Sequence, residues 1–403
     1  MLSSQTARLP RGFRVSGTTC GIKDSGRPDL ALFVSDGPAA AAGVFTTNRV
    51  VGAPVDLSRS RVPASAVHAV VINSGNANAC TGEAGYQAAL HMTARVARLL
   101  SCDPEQILVC STGIIGVPLP IEIISTGIPP AVDCCESSAD AFQSAASAMM
   151  TTDTYPKLFS TDVHTEAGTV RISGAAKGAA MIAPNMATML AVIMTDALLN
   201  PDQCDTILRS AVDQTFNCIS VDGHVSTSDT VLLLANGTAG AQLSDADLTH
   251  VSDGARQVCE KLATDIIRDA EGAEHFITID VAGFETRNAA FRTAQKIAES
   301  ALVKTAITGN DPNWGRIVSA AGFSGVAFDP NHLSLTINGT EVYRAGTPVD
   351  FDEAELSRRM NESCDVHLLL ELSGGPASGQ HAVRFWTSDL TQEYVRLNSE
   401  YTT

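Results

Sequence analysis

Positive charge is scarce in this sequence. Lysine and arginine together number 27 against 44 aspartates and glutamates, which gives a formal net charge of −17. Such an excess of negative charge repels phosphate backbones and anionic lipid, so neither nucleic acid nor a membrane surface is expected as a partner. A small anionic metabolite is not excluded, because the local field of a binding site can oppose the global charge.

A long uninterrupted apolar run is also lacking. The most apolar stretch, residues 177–197, is interrupted by Pro184, Asn185 and Asp196. Polar residues are costly inside lipid, so this stretch is predicted to be a buried core segment rather than a membrane-spanning helix.

Paired cysteine motifs and phosphate-binding loops are absent as well. The ten cysteines are scattered, with no CxxC motif and no closely spaced histidines, which disfavours a zinc ribbon or a disulfide scaffold. Scattered cysteines in a long chain are typical of a reducing compartment, so we expect a cytoplasmic protein. Neither GxxxxGK[ST] nor GxGxxG occurs, and no nucleotide cofactor or metal is predicted.

Apolar runs alternate with segments of helical periodicity, which favours a layered α/β or α+β fold. Beyond about residue 285 the pattern starts again, so we expect a larger lobe over 1–284 and a smaller α/β lobe over 285–403. An Asn338-Gly339 hairpin and a final strand belong to the second lobe. The predicted strands are 30–34, 66–72, 107–111, 189–195, 230–235, 276–283 and 366–372, and the predicted helices are 85–99, 141–150, 200–216, 244–272 and 289–303.

Thr188 stands at the start of one predicted core strand, directly after Ala187. A threonine hydroxyl acts as a nucleophile only with a base, and the upstream candidate here is Lys177, since no histidine is near. A bend at the small Ala187 would expose its carbonyl group to the Thr188 hydroxyl, a geometry that can support self-cleavage. The structural alternative is a β-branched residue that simply opens a strand.

Polar residues and glycines cluster in four further segments, 73–85, 110–116, 150–157 and 309–316. In the second of them, Thr112 and Gly113 directly follow a predicted strand. A hydroxyl group beside a freely approached backbone amide can stabilise a developing oxyanion, although a simple strand-ending turn would look the same.

Several of these segments together resemble the ornithine acetyltransferase family, the bifunctional glutamate N-acetyltransferases of arginine biosynthesis. The resemblance spans nearly the whole chain and rests on "NSGNANACTG", "STGIIG", "MTTDT", "KGAAMIAPNMATMLA", "DPNWGR" and "VRLNSEYTT". It implies an N-terminal-nucleophile-like core with β-sheets packed between helices. It also implies a precursor that cuts itself between Ala187 and Thr188 into an α chain, 1–187, and a β chain, 188–403.

By the same resemblance, Thr188 becomes the nucleophile of the new N-terminus, with its own α-amine as base. An α-amine has an ordinary pKa of about 7.7–8.0, so it can accept a hydroxyl proton near neutral pH. Thr188 would attack the acetyl group of N2-acetylornithine, and glutamate would then take the acetyl group from the acetyl-threonine. Thr112 and Gly113 would form the oxyanion hole.

The resemblance further assigns substrate binding to residues in matching motifs. They are Thr151, Lys177, Thr188, Glu271, Asn398 and Thr403. It implies a C-terminal tail that closes on the site, an α2β2 heterotetramer and no cofactor, and it leaves open whether acetyl-CoA also serves as acetyl donor.

One segment departs from the family pattern. Where the family usually reads like "DGDTSTND", this chain has "DGHVSTSD", so His224 and Val225 replace an acidic residue and a threonine while Asp222 and Asp229 match. Two other functions stay open from sequence: an N-terminal-nucleophile amidase or aminopeptidase, which would pass the acyl group to water, and an uncleaved binding or assembly subunit.

Overall fold

The computed structural model describes residues 7–166, 168–183, 189–240 and 242–400. Two sheets form there. The strands are β1 (Phe13–Thr18), β2 (Leu30–Phe45), β3 (Ala64–Asn76), β4 (Ile107–Ile114), β5 (Lys157–Thr165), β6 (Gly168–Lys177), β7 (Leu190–Thr195), β8 (Ile219–Ser220), β9 (Thr230–Ala235), β10 (Phe276–Phe284), β11 (Leu333–Ile337), β12 (Thr340–Arg344), β13 (Thr347–Pro348), β14 (Asp365–Leu372) and β15 (Ser378–Ser388).

Helices cover the sheets, which confirms the predicted layered α/β class. None in the described part of the chain is both long and apolar enough to span a membrane. The α-helices are α1 (Ala53–Arg59), α2 (Gly82–Leu100), α3 (Ile121–Asp133), α4 (Ala139–Met149), α5 (Pro201–Gln214), α6 (Asp245–Arg268), α7 (Arg287–Ala298), α8 (Ala301–Thr308), α9 (Trp314–Gly322), α10 (Glu353–Ser363) and α11 (Gln392–Glu400), and single 3-10 turns lie at Pro104–Gln106, Phe216–Cys218 and Pro330–His332.

The long strand β2 joins two halves of the first sheet. The sheet runs β4-β3-β2-β9-β7-β6-β5, and β1 also pairs with β2. Residues 30–34 of β2 pair with β3, whereas residues 40–45 pair with β9, and the register shifts between these two stretches. Such irregularities bend a strand, so one chain segment can serve both halves.

A buried apolar cluster lies between the two halves. Phe33 and Ile72 of the first half share it with Val192 and Leu232 of the second half. Helix α4 contributes Phe142 and Met149 to the same cluster, and the ends of β4 and β6 meet where Lys177 contacts Thr112. That meeting point is where the predicted functional residues lie.

The second sheet runs β13-β12-β11-β14-β10-β15-β8. One of its interior strands, β10, pairs in parallel with β14 and antiparallel with β15. Both β8 and β10 precede residue 285 in the chain, and one continuous core contains residues of both sheets, such as Ile193 and Ile279. The division into lobes 1–284 and 285–403 stays a prediction.

Local signals set most element ends where the sequence indicates them. The Asn200 side chain accepts the Gln203 amide and caps α5, with Pro201 at the first helical position. Asn338 and Gly339, both at positive φ, turn the hairpin of β11 and β12.

Two expectations about the second lobe are wrong. The helix predicted over 289–303 is two helices, because the Ser300 side chain accepts the Val303 amide and starts α8 afresh. The strand 366–372 is not the last, since β15 follows it. The outward-facing polar residues of β15, such as Gln380 and His381, obscure its apolar alternation.

Candidate active site

A cavity of about 280 Å³ opens where β4 and β6 end, beneath α11. It brings together every predicted site residue that the structure describes. Its lining includes Thr112, Gly113, Thr151, Lys177, Glu271 and Asn398, joined by Asp222, His224 and Tyr394.

Three predicted residues lie outside the described part of the chain. They are Ala187 and Thr188, which form the predicted cleavage site, and Thr403. The chain is described again from Met189, which is buried beside the start of β7.

Thr112 and Gly113 end β4 next to β3, in a conformation that only glycine suits at position 113. Gly113 has φ +134°, and a Cβ there would lie 2.3 Å from the carbonyl carbon of Gly75 and 2.5 Å from the nitrogen of Asn76. The close approach of two backbones therefore requires glycines, and it fixes the Gly113 amide beside the Thr112 side chain. This is the arrangement expected of an oxyanion hole.

Lys177 ends β6 and contacts Thr112 from the other half of the sheet. Its side chain is buried, and its Nζ donates to the Thr112 Oγ1 over 3.1 Å. Because an ammonium group can only donate, the Thr112 oxygen accepts here and its own hydrogen is free to point elsewhere. Burial lowers the pKa of Lys177, and Asp153 offsets part of this effect.

A buried ion network supports this corner of the cavity. The Lys157 Nζ lies 2.7 Å from Asp153 Oδ1 and 2.6 Å from Asp269 Oδ2. Asp153 also accepts the Thr151 amide over 3.0 Å and the Gly178 amide over 2.7 Å. Burial alone would raise the pKa of Asp153, but Lys157, Lys177 and the Gly178 amide outweigh it and lower the pKa to about 2.

Two carboxylates and the C-terminal helix form another part of the lining. The Asn398 Nδ2 donates to Glu271 Oε2 over 2.9 Å, and the Tyr394 hydroxyl donates to Asp222 Oδ2 over 3.1 Å. The backbone of α11 packs so closely that a Cβ on Gly272 would lie 2.4 Å from the Tyr394 nitrogen. Tyr394 and Asn398 of α11 line the cavity, and the closure of the tail beyond them on the site stays a prediction.

His224 also lines the cavity and is exposed. Its backbone amide donates to Asp222 Oδ1 over 3.2 Å, and the Ile182 amide donates to the same oxygen over 2.9 Å. The replacement of the usual acidic residue by His224 therefore changes the surface of the cavity. The hydrogen bonds that hold the backbone of this loop are accepted by Asp222.

Sequence reasoning missed Asp153 and Tyr394. Asp153 lies in the segment 150–157 that the sequence analysis singled out, but its hydrogen bond from the Gly178 amide and its ion pair with Lys157 appear only in the folded chain. Tyr394 directly precedes the C-terminal motif, and no sequence pattern pointed to it.

The cavity contains charged groups of both signs. They are the buried cation Lys177 and the carboxylates of Glu271 and Asp222. A ligand that carries an anionic and a cationic group would find a group of opposite charge for each. Amino acids with a basic side chain have this charge pattern.

Comparison with known proteins gives one consistent result. The family model described as the ArgJ family matches residues 14–403. The chain is 45% identical to the arginine biosynthesis bifunctional protein ArgJ of Rhodopirellula baltica, over 98% of this chain and 96% of that protein. It is 44% identical to the protein of the same name from Thermus thermophilus, over 98% and 99% of the two chains.

A solved chain of ornithine acetyltransferase from Mycobacterium tuberculosis, in complex with ornithine, is 39% identical. The alignment covers 45% of this chain and 96% of that chain, with a TM-score of 0.43.

Proposed function

Because this chain belongs to the ArgJ family, we propose that it cuts itself before Thr188 and transfers an acetyl group from N2-acetylornithine to glutamate. It is an acyltransferase of arginine biosynthesis, as its relatives are. The family fits this transferase function and does not fit the amidase or aminopeptidase alternative.

The first step is the cut between Ala187 and Thr188. The Thr188 hydroxyl attacks the Ala187 carbonyl carbon, the peptide C–N bond breaks, and water hydrolyses the resulting ester. Residue 188 is left with a free α-amine. This amine is the proposed base for the Thr188 hydroxyl, because its ordinary pKa lies near neutrality and the Lys177 ammonium group is already bonded to Thr112.

Acetyl transfer then runs in two halves. The α-amine takes the Thr188 hydroxyl proton as the oxygen attacks the acetyl carbonyl of N2-acetylornithine. The Thr112 hydroxyl and the Gly113 amide hold the oxyanion, and ornithine leaves with the proton. In the second half, the glutamate amine attacks the acetyl-threonine, and the α-amine takes and returns a proton in the same way.

The presence of both signs of charge in the cavity supports the assignment of substrate binding. The Lys177 ammonium and the hydroxyl of Thr151 would hold a carboxylate, while Glu271, oriented by Asn398, would hold the ammonium group of the ornithine chain. Thr403 is proposed as a further contact from the C-terminal tail.

The observation that carries this proposal is the meeting in one cavity of Thr112, Gly113, Thr151, Lys177, Glu271 and Asn398, residues far apart in sequence. An α2β2 assembly of the two chains and a cytoplasmic location are part of the proposal. Acetyl-CoA as a second acetyl donor is left to experiment.

A double measurement tests the function. Intact-mass spectrometry of the purified protein should show two chains, one ending at residue 187 and one beginning at residue 188. N2-acetylornithine with labelled acetyl groups, incubated with glutamate, should yield labelled N-acetylglutamate and an acetylated 188–403 chain.

Thr188→Ala is the matched control, since it removes the nucleophile and should stay a single chain without transfer. Two chains from this variant would contradict the cleavage chemistry. Acetate formed in place of N-acetylglutamate would point to a hydrolase. An intact and fully active wild-type chain would refute the whole proposal.

A further inference from the structure

Three basic side chains lie along one face of α2. His91, Arg95 and Arg98 are spaced by four and then three residues, which places them on the same side of a helix. They line an open cavity of about 560 Å³ between α2 and α3. None of the residues that line the cavity at Thr112 takes part in it. The described part of the chain therefore contains a second, separate cavity with basic residues in its wall.

The two arginines of this cavity lack the carboxylate partners that other helix-surface arginines have. On α6, for example, Arg256 pairs with Glu260 over 2.8 Å. Among the described residues, neither the Arg95 nor the Arg98 side chain has an ion pair or a hydrogen bond. No described residue of the lining is an aspartate or a glutamate, although the chain has 44 of them. The local field of the cavity is therefore positive in a protein of net negative charge.

Helix α3 contributes an unpaired hydroxyl group to the facing wall. Ser125 lines the cavity, and its Oγ is buried without a hydrogen-bond partner among the described residues. Buried polar groups in folded proteins are nearly always paired, so an unpaired one calls for an explanation. When this hydroxyl turns about its single side-chain torsion to donate to a ligand, it gives up no existing hydrogen bond.

These donors indicate the chemistry of the ligand. A guanidinium group donates two parallel hydrogen bonds to a phosphate or a carboxylate, and a doubly charged phosphate can satisfy two guanidinium groups at once. The His91 ring and the Ser125 hydroxyl add single donors. The volume of about 560 Å³ is in the range of small-molecule sites, and Ala94 and Pro129 give it apolar surface for an organic group. A phosphate group carried on a small organic molecule therefore fits the lining.

We propose that the cavity between α2 and α3 binds a phosphate monoester, whose phosphate group is held by Arg95 and Arg98 and receives further hydrogen bonds from His91 and Ser125. The organic group of the ligand packs against the apolar part of the lining. Binding links the two helices and stabilises the folded chain, because the ligand has no such site on the unfolded chain. This site goes beyond the proposed function and does not depend on it, since no residue of the acetyl-transfer site takes part.

Isothermal titration calorimetry of the full-length protein at constant ionic strength tests the site. Phenyl phosphate is the probe, and we expect a Kd on the order of 1 mM, as a few charge-assisted hydrogen bonds in an open cavity allow. Inorganic phosphate should bind roughly 3- to 10-fold more weakly, because it leaves the apolar surface uncovered. Acetate, with a single charge, should not bind measurably. Equal affinities for phenyl phosphate and inorganic phosphate would refute the monoester assignment.

Substitutions in both helices locate the bound phosphate. Arg95→Gln and Arg98→Gln keep good helix formers on the surface of α2, and each should weaken phenyl phosphate binding at least 10-fold, roughly the worth of a lost charge-assisted contact. Ser125→Ala should weaken it about 3-fold without lowering Tm, because the hydroxyl group has no partner to lose. Arg256→Gln is the matched control: it removes the same charge from another helix and should leave the affinity unchanged.

Three results would overturn the inference. They are wild-type affinity in both arginine variants, an equal loss of affinity in Arg256→Gln, and no binding to the wild type combined with a changed oligomeric mass of Arg95→Gln in sedimentation. The last result would show that the arginines pair with a second copy of the chain. Wild-type affinity in Ser125→Ala would refute the contact from α3. Failure of acetyl transfer, in contrast, would refute the proposed function and leave these binding results as they are.

Discussion

Replacing Lys177 by methionine should lower the catalytic rate without lowering the stability of the fold. Methionine has nearly the length and apolar volume of the lysine stem, so the cavity wall keeps its shape. The substitution removes a buried cation whose ammonium group has, among the described residues, one hydrogen bond, 3.1 Å long, to Thr112. Asp153 loses a nearby positive charge but keeps the Lys157 ammonium at 2.7 Å.

The expected effects on stability and on rate have different sizes. A hydrogen bond to a charged group is worth about 1.5–3 kcal/mol, which corresponds to roughly 10- to 10²-fold in rate if it is needed to direct the Thr112 hydroxyl to the oxyanion. Stability should hold or rise, because a desolvated ammonium group disappears while Asp153 stays paired. We expect kcat to fall about 10²-fold, with Tm within about 2 °C of wild type.

Initial rates of acetyl transfer and thermal unfolding of the same preparation check this prediction, with Lys261→Met as a surface control. Lys261 pairs with Asp265 at a half-exposed position and should be neutral in both assays. A raised KM with an unchanged kcat would show that Lys177 only binds substrate. A large loss of Tm would show that its charge is structural, and either result would refute the reasoning.

Three further perturbations have defined outcomes. Gly113→Ala places a Cβ 2.3 Å from the Gly75 carbonyl carbon at φ +134°, so we expect a loss of about 1–3 kcal/mol in chemical unfolding and a kcat lowered at least 10²-fold. The pKa of Asp153 is lowered to about 2 from 3.8, so its ionised form stabilises the fold above pH 4, and this contribution is lost as pH falls toward 2. The difference is worth about 2–3 kcal/mol of unfolding free energy. In Asp153→Asn the unfolding free energy should therefore change less with pH across this range. Tyr394→Phe removes the 3.1 Å hydrogen bond to Asp222. We expect a roughly 10-fold higher KM for N2-acetylornithine in steady-state assays. An unchanged KM would mean that α11 keeps its position without this hydrogen bond.

Much of the fold follows from local sequence signals. Residues 230–235 form a strand with the predicted ends. A run of six apolar residues bounded by polar ones is too short for a typical helix, which favours a buried strand. Asn200 and Pro201 start α5 as expected. Where a serine restarts a helix at Ser300, or a strand carries polar residues on one face as β15 does, periodicity alone misleads.

The site was less accessible to local reasoning. Thr112 and Gly113 stood out because a hydroxyl and a glycine end a strand together. Lys177 and Asp153 act on them through contacts over long sequence separations, and only the folded sheet brings these contacts about. The resemblance assigned the substrate-binding residues, and that assignment stays a prediction.

The interior position of β7 in the first sheet constrains how a cut protein could come apart. A cut before residue 188 assigns β6 to one polypeptide and β7 to the other, and β2 of the first polypeptide pairs with β9 of the second. Two separate hydrogen-bonded ladders, β6–β7 and β2–β9, would hold the two polypeptides together. Their dissociation would leave the edges of all four strands unpaired at once. Two genes encoding these segments separately would therefore need to be translated together, since the strands of the first sheet would be divided between the two products.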